Sequence, residues 1–491
     1  VVPLSAATHA AQTDTLFVDV LGPTRPLVRP VATGWLGNLP NTLPDSLIVP
    51  LKPSCVRASF HRDLGGSLFS GSWDKVDSAG AIAMMNLWPV AGVDQSACGC
   101  PSGQYGDSCS AATRCIIDAE SSCWTEYLND VVGEVADELE AHPGLRVQWS
   151  IWNEPDACDF WGDHPDSLYE AEYFELSRLS YDSLVTMPGA VVTGPGYTHD
   201  SPLGAAGRFL LKDFMEYAHS IDRLPHRIAW HYFPEPEYAP QFLNLEWQAQ
   251  TLRDALKTWN VDSTYADTVR FVVDETLEED MYLVAGRIVR IFATSERAVD
   301  DGLEFVNRAN WDLAELPFEA GLLTTQLQKR YAWWLYKEYA SLASSDSSTL
   351  LLEEVQPAGP NGGDYDALAV VDADSSRVRI LVGRFNNQAA AAPDVLTLKV
   401  SNLDGLGLVD AVDFEQNLVQ VTARRFRAGA TYNKQAPIAE QDLAVPSLSR
   451  RFETSNGDLV IHFSGTHDFN DFDAYLVEIT AVSRGSVTAS Q

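Results

Sequence analysis

The run Val147-Gln148-Trp149-Ser150-Ile151-Trp152-Asn153-Glu154-Pro155-Asp156 is apolar and β-prone until it stops at Asn-Glu-Pro. Pro155 has no N–H to offer a sheet ladder, so the strand is expected to run to about Trp152 and to stop there. Glu154, with Asn153 beside it, is then held at a strand end. A carboxyl at the C-terminal end of a parallel strand is where (β/α)8 barrels keep their chemistry. A second run, Val269-Arg270-Phe271-Val272-Val273-Asp274-Glu275, closes on a carboxyl in the same way. Alternation puts Phe271, Val273 and Glu275 on one face and leaves Glu278 and Glu279 in the loop beyond, which favours Glu275 over its acidic neighbours.

Outward from these two runs, short β-branched stretches alternate with amphipathic ones. Strands are expected at Pro30–Gly34, Cys55–Phe60, Ala81–Leu87, Arg146–Trp152, Ala190–Thr193, Arg227–Tyr232, Val269–Asp274 and Leu303–Val306. Eight is the number that closes a barrel. Helices of period 3.6 are expected at Trp124–Glu140, Leu168–Val185, Leu245–Trp259 and Leu322–Leu342. Trp333-Trp334-Leu335-Tyr336 in the last of these reads as outer barrel packing and not as a sugar platform. After Ser341–Ser348 the texture turns to short β runs: Ala367–Val371, Val378–Gly383, Val395–Val400, Leu418–Val421, Leu459–Phe463 and Tyr475–Thr480. The fold expected is α/β: a (β/α)8 TIM barrel over residues 28–342, interrupted by a Cys-rich insertion at 97–123, with a C-terminal β-sandwich at 343–491. The N-terminal segment 1–27, through Thr15–Val20, joins the sandwich.

Two carboxyls on strand ends half a barrel apart are the equipment of glycoside hydrolysis. Trp-Asn-Glu-Pro followed by a later strand-end Glu resembles the clan of (β/α)8 retaining glycoside hydrolases. More narrowly the chain resembles glycoside hydrolase family 39, the β-xylosidase and α-L-iduronidase group. The residues that carry this are Gly34 in Thr-Gly-Trp, Cys55-Val56-Arg57-Ala58-Ser59-Phe60-His61, Asn153-Glu154-Pro155-Asp156 with Phe160-Trp161, Gly194-Pro195-Gly196, and Trp230-His231-Tyr232-Phe233-Pro234. The resemblance covers roughly residues 28–340. It implies that Glu154, ending strand 4, is the acid/base and that Glu275, ending strand 7, is the nucleophile. The family usually follows its nucleophile with a Trp-Asn type of sequence, whereas Glu275 precedes Thr276-Leu277-Glu278-Glu279, which leaves the sugar open.

Supporting groups follow from the same placement. Asn153 suits the sugar 2-hydroxyl. Arg57 on strand 2 suits a charge that keeps Glu275 ionised. Tyr232 suits a hydrogen bond to the nucleophile, as the resemblance implies, and His231 beside it is the alternative inward residue. His61 and Trp88, ending strands 2 and 3, and Trp161 and Trp311 are candidates for contact with the sugar.

The chain has 491 residues, with 68 acidic against 34 basic and a formal charge of −34, which argues against nucleic acid or an anionic membrane as partner. Only eight of the basic residues are Lys. Such a surface fits solubility in salty water, and equally fits ordinary acidic colloidal stabilisation. No apolar run approaches the ~20 residues of a membrane span. Val1-Val2-Pro3-Leu4 reads as the start of a processed chain. Five of the seven Cys (Cys98, Cys100, Cys109, Cys115, Cys123) sit in a Gly/Ser-rich stretch that cannot build a core. Disulfides would hold it, implying a secreted, extracellular or periplasmic protein; the spacing matches paired zinc ligands poorly. Cys55, in a barrel strand, is the expected odd thiol. No metal motif, phosphate loop or dinucleotide fingerprint is visible, so no metal and no cofactor is expected.

The function expected is a secreted retaining glycosidase, exo-acting on β-xyloside-like or uronide-like carbohydrate. An endo-glycanase of the same clan and a non-catalytic carbohydrate-binding protein on a barrel are the alternatives, and the sequence leaves a homo-oligomer open.

Overall fold

A computed structural model describes residues 13–38, 43–61, 66–67, 73–87, 123–156, 166–197, 210–233, 244–276, 284–312, 322–344, 348–353, 355–358, 365–385, 395–409, 418–427, 438–444, 447–464 and 473–482. The chain divides into two compact units, one formed by residues 30–279 and 294–316, the other by 1–29, 280–293 and 317–491.

The first unit holds a closed barrel of eight parallel strands: Gly34–Asn38, Cys55–His61, Ile82–Leu87, Arg146–Ile151, Val191–Tyr197, Arg227–Tyr232, Arg270–Thr276 and Leu303–Asp312. Each pairs with the next, and the eighth closes the ring on the first through Asn307↔Gly34, Arg308↔Trp35 and Ala309↔Leu36. A short strand, Gly66–Ser67, runs antiparallel to the end of the second. The interior is plugged by Cys55, Ile82, Met84, Ala229, Val272 and Phe305, all buried. Cys55 carries a free thiol there. Two residues further along their strands come Arg57, Asn86, His231, Asp274 and Asn307, each at most 2% exposed. Side chains two apart share a face, so a polar layer lies directly on the apolar plug, toward the C-terminal ends of the strands.

Most strands fall where their β-branched runs indicate. The first does not: it occupies Gly34–Asn38 in place of Pro30–Gly34. Pro30 has no N–H, and the Val31 N–H is taken by the Glu296 carboxylate at 3.2 Å. The Thr33 hydroxyl meanwhile binds the Lys52 carbonyl at 2.8 Å. The segment before Gly34 is therefore committed to side-chain bonds, and the ladder starts after it. The helix expected at Leu322–Leu342 likewise spans only Tyr331–Leu342, in the unit that holds residues 317–491. Residues 323–329 form a tight turn closed by a Leu323↔Lys329 bridge, with Leu327 at φ +60°. Trp333, Trp334, Leu335 and Tyr336 are all buried, which removes them as a sugar platform.

Gly34 is required by what lies against it. A Cβ there would stand 2.1 Å from Asn307 Oδ1 and 2.6 Å from the Val306 carbonyl. Asn307 is itself fixed in the interior, its Nδ2 toward Met84 Sδ at 3.6 Å. Gly34→Ala is expected to cost about 3 kcal/mol or more in urea unfolding, since backbone and a packed carboxamide both have to move; an unchanged midpoint would show that the barrel seam is softer than this packing implies.

The second unit holds two stacked sheets. One has four strands in the order Val355–Ala358, Thr13–Asp19, Val395–Ser401, Leu459–Ser464; the Thr13–Asp19/Val395–Ser401 pair is parallel. The other has seven antiparallel strands in the order Leu448–Glu453, Leu418–Phe426, Ala474–Ala481, Arg377–Arg384, Tyr365–Asp372, Thr349–Leu352, Thr24–Pro26. Their inner faces meet in a core that includes Leu16, Val18, Ile380, Leu398, Ile461 and Val477. The fold is thus a TIM barrel with a β-sandwich.

Candidate active site

Glu154 follows the fourth barrel strand, which ends at Ile151, one residue before the expected end at Trp152. The cause is Trp152, whose φ of +68° takes the chain out of the ladder; Glu154 also has a positive φ, +48°. Neither is glycine, and each such residue costs on the order of 1–3 kcal/mol unless its surroundings hold it. The holding contacts are visible. The Glu154 N–H donates to the Gly196 carbonyl at 3.1 Å. The Tyr173 hydroxyl, from the helix Asp166–Leu184, reaches the Ile151 and Pro195 carbonyls at 3.3 and 3.4 Å. Burial, with the Asp156 and Asp274 carboxylates, pushes the Tyr173 phenol well above its ordinary range, so it stays a donor. The turn aims Asn153 and Glu154 into the polar layer.

Glu275 arrives there by another route. Phe271 and Val273 face the helices, not the interior. The Phe271 ring packs on Trp230 at 5.9 Å and under the Arg253 guanidinium at 4.4 Å, while Trp230 Nε1 donates to Gln248 of the helix Leu245–Leu256. The interior residues are Val272 and, by alternation, Asp274. Strict alternation would therefore send Glu275 outward, and the alternation read from the sequence had the faces reversed. A register break rescues it. Val273 opposes Trp230 and Glu275 opposes His231, so Asp274 is one residue extra. A bulge of this kind re-aims a side chain, and both acidic groups turn inward.

His231 joins the two glutamates. Its Nδ1–H donates to Glu154 Oε1 at 2.8 Å. Its Nε2 lies 3.4 Å from Asp274 Oδ1 and 3.6 Å from Glu275 Oε2. Arg57 lies on the other side: Nη1 contacts Glu275 Oε2 at 3.3 Å, and Nη2 lies 3.4 Å from Asp274 Oδ2 and donates to Asn153 Oδ1 at 2.6 Å. Guanidinium has only donors, so the Asn153 carbonyl must face it and the amide NH2 is the end left to donate elsewhere. Exposure separates the acids. The side chains of Glu154 and Glu275 are 11% and 15% exposed, whereas Asp274 is 0% exposed. A substrate can meet the first two and not the third.

Burial pulls the His231 imidazolium down, but Asp274, Glu275 and the bonded Glu154 overcome it and raise the pKa to about 9. Burial pushes the Glu275 carboxyl up; His231 and Arg57 pull it back, while Glu154 and Asp274 add to the rise. The folded His231 value exceeds the unfolded one of ~6.5, so its contribution is complete below about pH 6.5 and is lost as pH rises through about 9. The raised Glu275 works in the same direction. The thermal midpoint is expected to fall between about pH 6.5 and 9, and to fall less in His231→Asn; parallel curves for the two proteins would contradict the charge state assigned to His231.

Tyr232 lies on the same side of its strand as Trp230, fully buried, its carbonyl accepting from Thr276 Oγ1 at 2.6 Å. The sixth-strand group against Glu275 is thus His231. His61 ends the second strand, pairing with Gly66, and Trp311 lies in the eighth strand; their side chains lie outside what the structure describes. Trp88, Trp161 and the Cys98–Cys115 stretch lie outside the described residues. Two contributors escaped the sequence reading as site residues. Asp274 was legible as the residue two after interior Val272, once Phe271 is assigned to the helices. Tyr173 left no signal, because an aromatic on a helix face reads as packing. Among the described residues no group of His, Cys, Asp and Glu has the geometry of a metal site, and no helix is long and apolar enough to cross a membrane.

No protein-family model and no curated protein sequence matches this chain. Solved structures do. The structure of N2152 from Neocallimastix frontalis aligns with a TM-score of 0.68 at 18% identity, over 96% of this chain and 100% of that one. The GH39 enzyme from Xanthomonas axonopodis pv. citri gives 0.57 at 13%, over 98% and 100%. A monomeric beta-xylosidase from Caulobacter crescentus CB15 gives 0.56 at 13%, over 96% and 100%. In fold, this chain is of the kind found in glycoside hydrolase family 39 and its clan of (β/α)8 glycosidases.

Proposed function

We propose that this chain is a glycoside hydrolase that works by double displacement with retention, using Glu154 as acid/base and Glu275 as nucleophile. The observation that carries the reading is the charged cluster at the barrel mouth: two partly accessible glutamates, one on each side of the His231 ring, with Arg57 anchoring Glu275 and Asn153. In the first step Glu275 attacks the anomeric carbon while the Glu154 proton passes to the leaving oxygen. In the second, Glu154 takes a proton from water, and that water displaces the Glu275 ester. The Asn153 NH2, oriented by Arg57, donates to the sugar 2-hydroxyl. Burying five ionic or strongly polar groups together is costly in a barrel core, and such clusters persist where chemistry needs them. That favours an enzyme over a binding protein.

The β-xylosidase among the fold relatives and the family-39 pattern support an exo-acting enzyme on β-xyloside-like substrates, with uronides as the second candidate. A panel of 4-nitrophenyl glycosides tests this, with the anomer of the first product read by NMR. An inverted first product would remove the retaining mechanism, and no hydrolysis of any glycoside would remove the reading.

Secretion is proposed on the cysteine pattern. With Cys55 buried as a free thiol, the other six of the seven cysteines allow at most three bridges. Non-reducing mass spectrometry is expected to find three bridges and one free thiol. Seven free thiols, or bound zinc, would overturn the extracellular assignment.

A further inference from the structure

Asp274 is the acid of the cluster that the proposed chemistry does not use. Its side chain is 0% exposed, so no sugar reaches it. One oxygen faces Arg57 Nη2 and the other His231 Nε2, both at 3.4 Å. Its own carbonyl accepts from Arg57 Nη1 at 3.4 Å. The fifth strand makes room for it: a Cβ on Gly196, which sits at φ +68°, would stand 3.3 Å from Asp274 Oδ2.

We propose that Asp274 is a positioning residue, a constant counter-charge that holds Arg57 and His231 in place while the charges on Glu154 and Glu275 exchange. The inference rests on the acid/base and nucleophile roles given above. Count the charges through the cycle. The proposed first step needs the donated proton on Glu154, which leaves Glu275 and Asp274 as the anions opposite the Arg57 and His231 cations, and the cluster is then neutral. When the Glu275–sugar bond forms and the leaving oxygen takes the Glu154 proton, Glu275 becomes a neutral ester and Glu154 an anion. The cluster is neutral again. The mobile negative charge has passed from the Nε2 side of His231 to its Nδ1 side, where Glu154 Oε1 lies at 2.8 Å. In that intermediate Arg57 has lost the charge of Glu275, and Asp274 is the anion still facing it. Without Asp274 the two cations would share a single anion at every stage.

The groups facing His231 are Glu154, Asp274, Glu275 and, through these, Arg57, with the Phe233 ring edge-on at 5.7 Å. The test is a pH titration of the His231 ring by NMR on the full chain carrying 15N-labelled histidine, assigned by His231→Gln. In the wild type the ring is expected to be protonated at pH 7 and to titrate near 9. In Asp274→Asn it is expected to titrate at least one unit lower, with the alkaline limb of kcat/KM moving by the same amount and KM little changed. A neutral His231 at pH 7 in the wild type overturns the proposal, and this needs no variant to fold. So does an Asp274→Asn protein with a lower Tm but an unmoved His231 titration and an unmoved pH profile, which is the result of a merely structural role. The titration needs no turnover, so a wild type that hydrolyses no glycoside would sink the glycosidase reading and leave this measurement standing.

Discussion

Glu275→Gln is expected to lower kcat on every glycoside by at least about 10⁴-fold while leaving the fold as stable as the wild type or more so. The kinetic part follows from removing the attacking atom, for which the scaffold has no substitute. The stability part follows from burial. Desolvation pushes this carboxyl up against the pull of His231 and Arg57, so the folded protein bears a cost for keeping it ionised at neutral pH, and an isosteric amide removes that cost. Glu154→Gln differs in kind. Its loss is expected to be about 10²–10⁴-fold on substrates with poor leaving groups and much smaller on 4-nitrophenyl glycosides, whose departure needs no proton. Steady-state rates on both substrate types, with urea unfolding of each variant, check the set. Equal losses for both variants on the activated substrate would dissolve the division of labour, and wild-type rates in either would remove that residue from catalysis.

Arg57→Met is expected to be the most damaging change for stability and to lower activity as well. The guanidinium is 1% exposed and touches Asp274, Glu275 and Asn153. Removing one partner from a buried ionic cluster leaves uncompensated charge, at a cost of ~3–5 kcal/mol. Turnover is expected to fall by about 10²–10³-fold besides, because Asn153 loses the donor that turns its NH2 toward the sugar. Arg57→Lys keeps the charge but replaces a planar fork with a single ammonium, and is expected to recover more stability than activity. Denaturant unfolding and kcat/KM for the three proteins decide it. A Met variant within about 1 kcal/mol of the wild type would mean that the cluster is wetter than its burial indicates.

The barrel was legible because its signals are local. Period-2 runs ending at polar residues mark strands, and 3.6-residue stripes ended by Pro or Gly mark helices, whatever the rest of the chain does. Glu154 belongs with these: Asn-Glu-Pro after an apolar run marks a strand end without any knowledge of neighbours. The sequence also marked Arg57 as a partner for Glu275, because strand-end residues of a closed barrel converge on one mouth. What it did not determine is which way a side chain turns where the ladder is irregular. The bulge at Asp274 exists only because the sixth and seventh strands slip by one residue against each other. That slip reverses the face of Glu275 and buries Asp274. The choice of His231 over Tyr232 as the inward residue depends on the same register, since neighbours on a strand point to opposite sides. The charge state of His231 is a tertiary property as well: its three acidic neighbours are residues 154, 274 and 275, and only the closed barrel brings them to one ring. Local pattern determines where chemistry-bearing residues sit along the chain. Register and closure decide which of them meet.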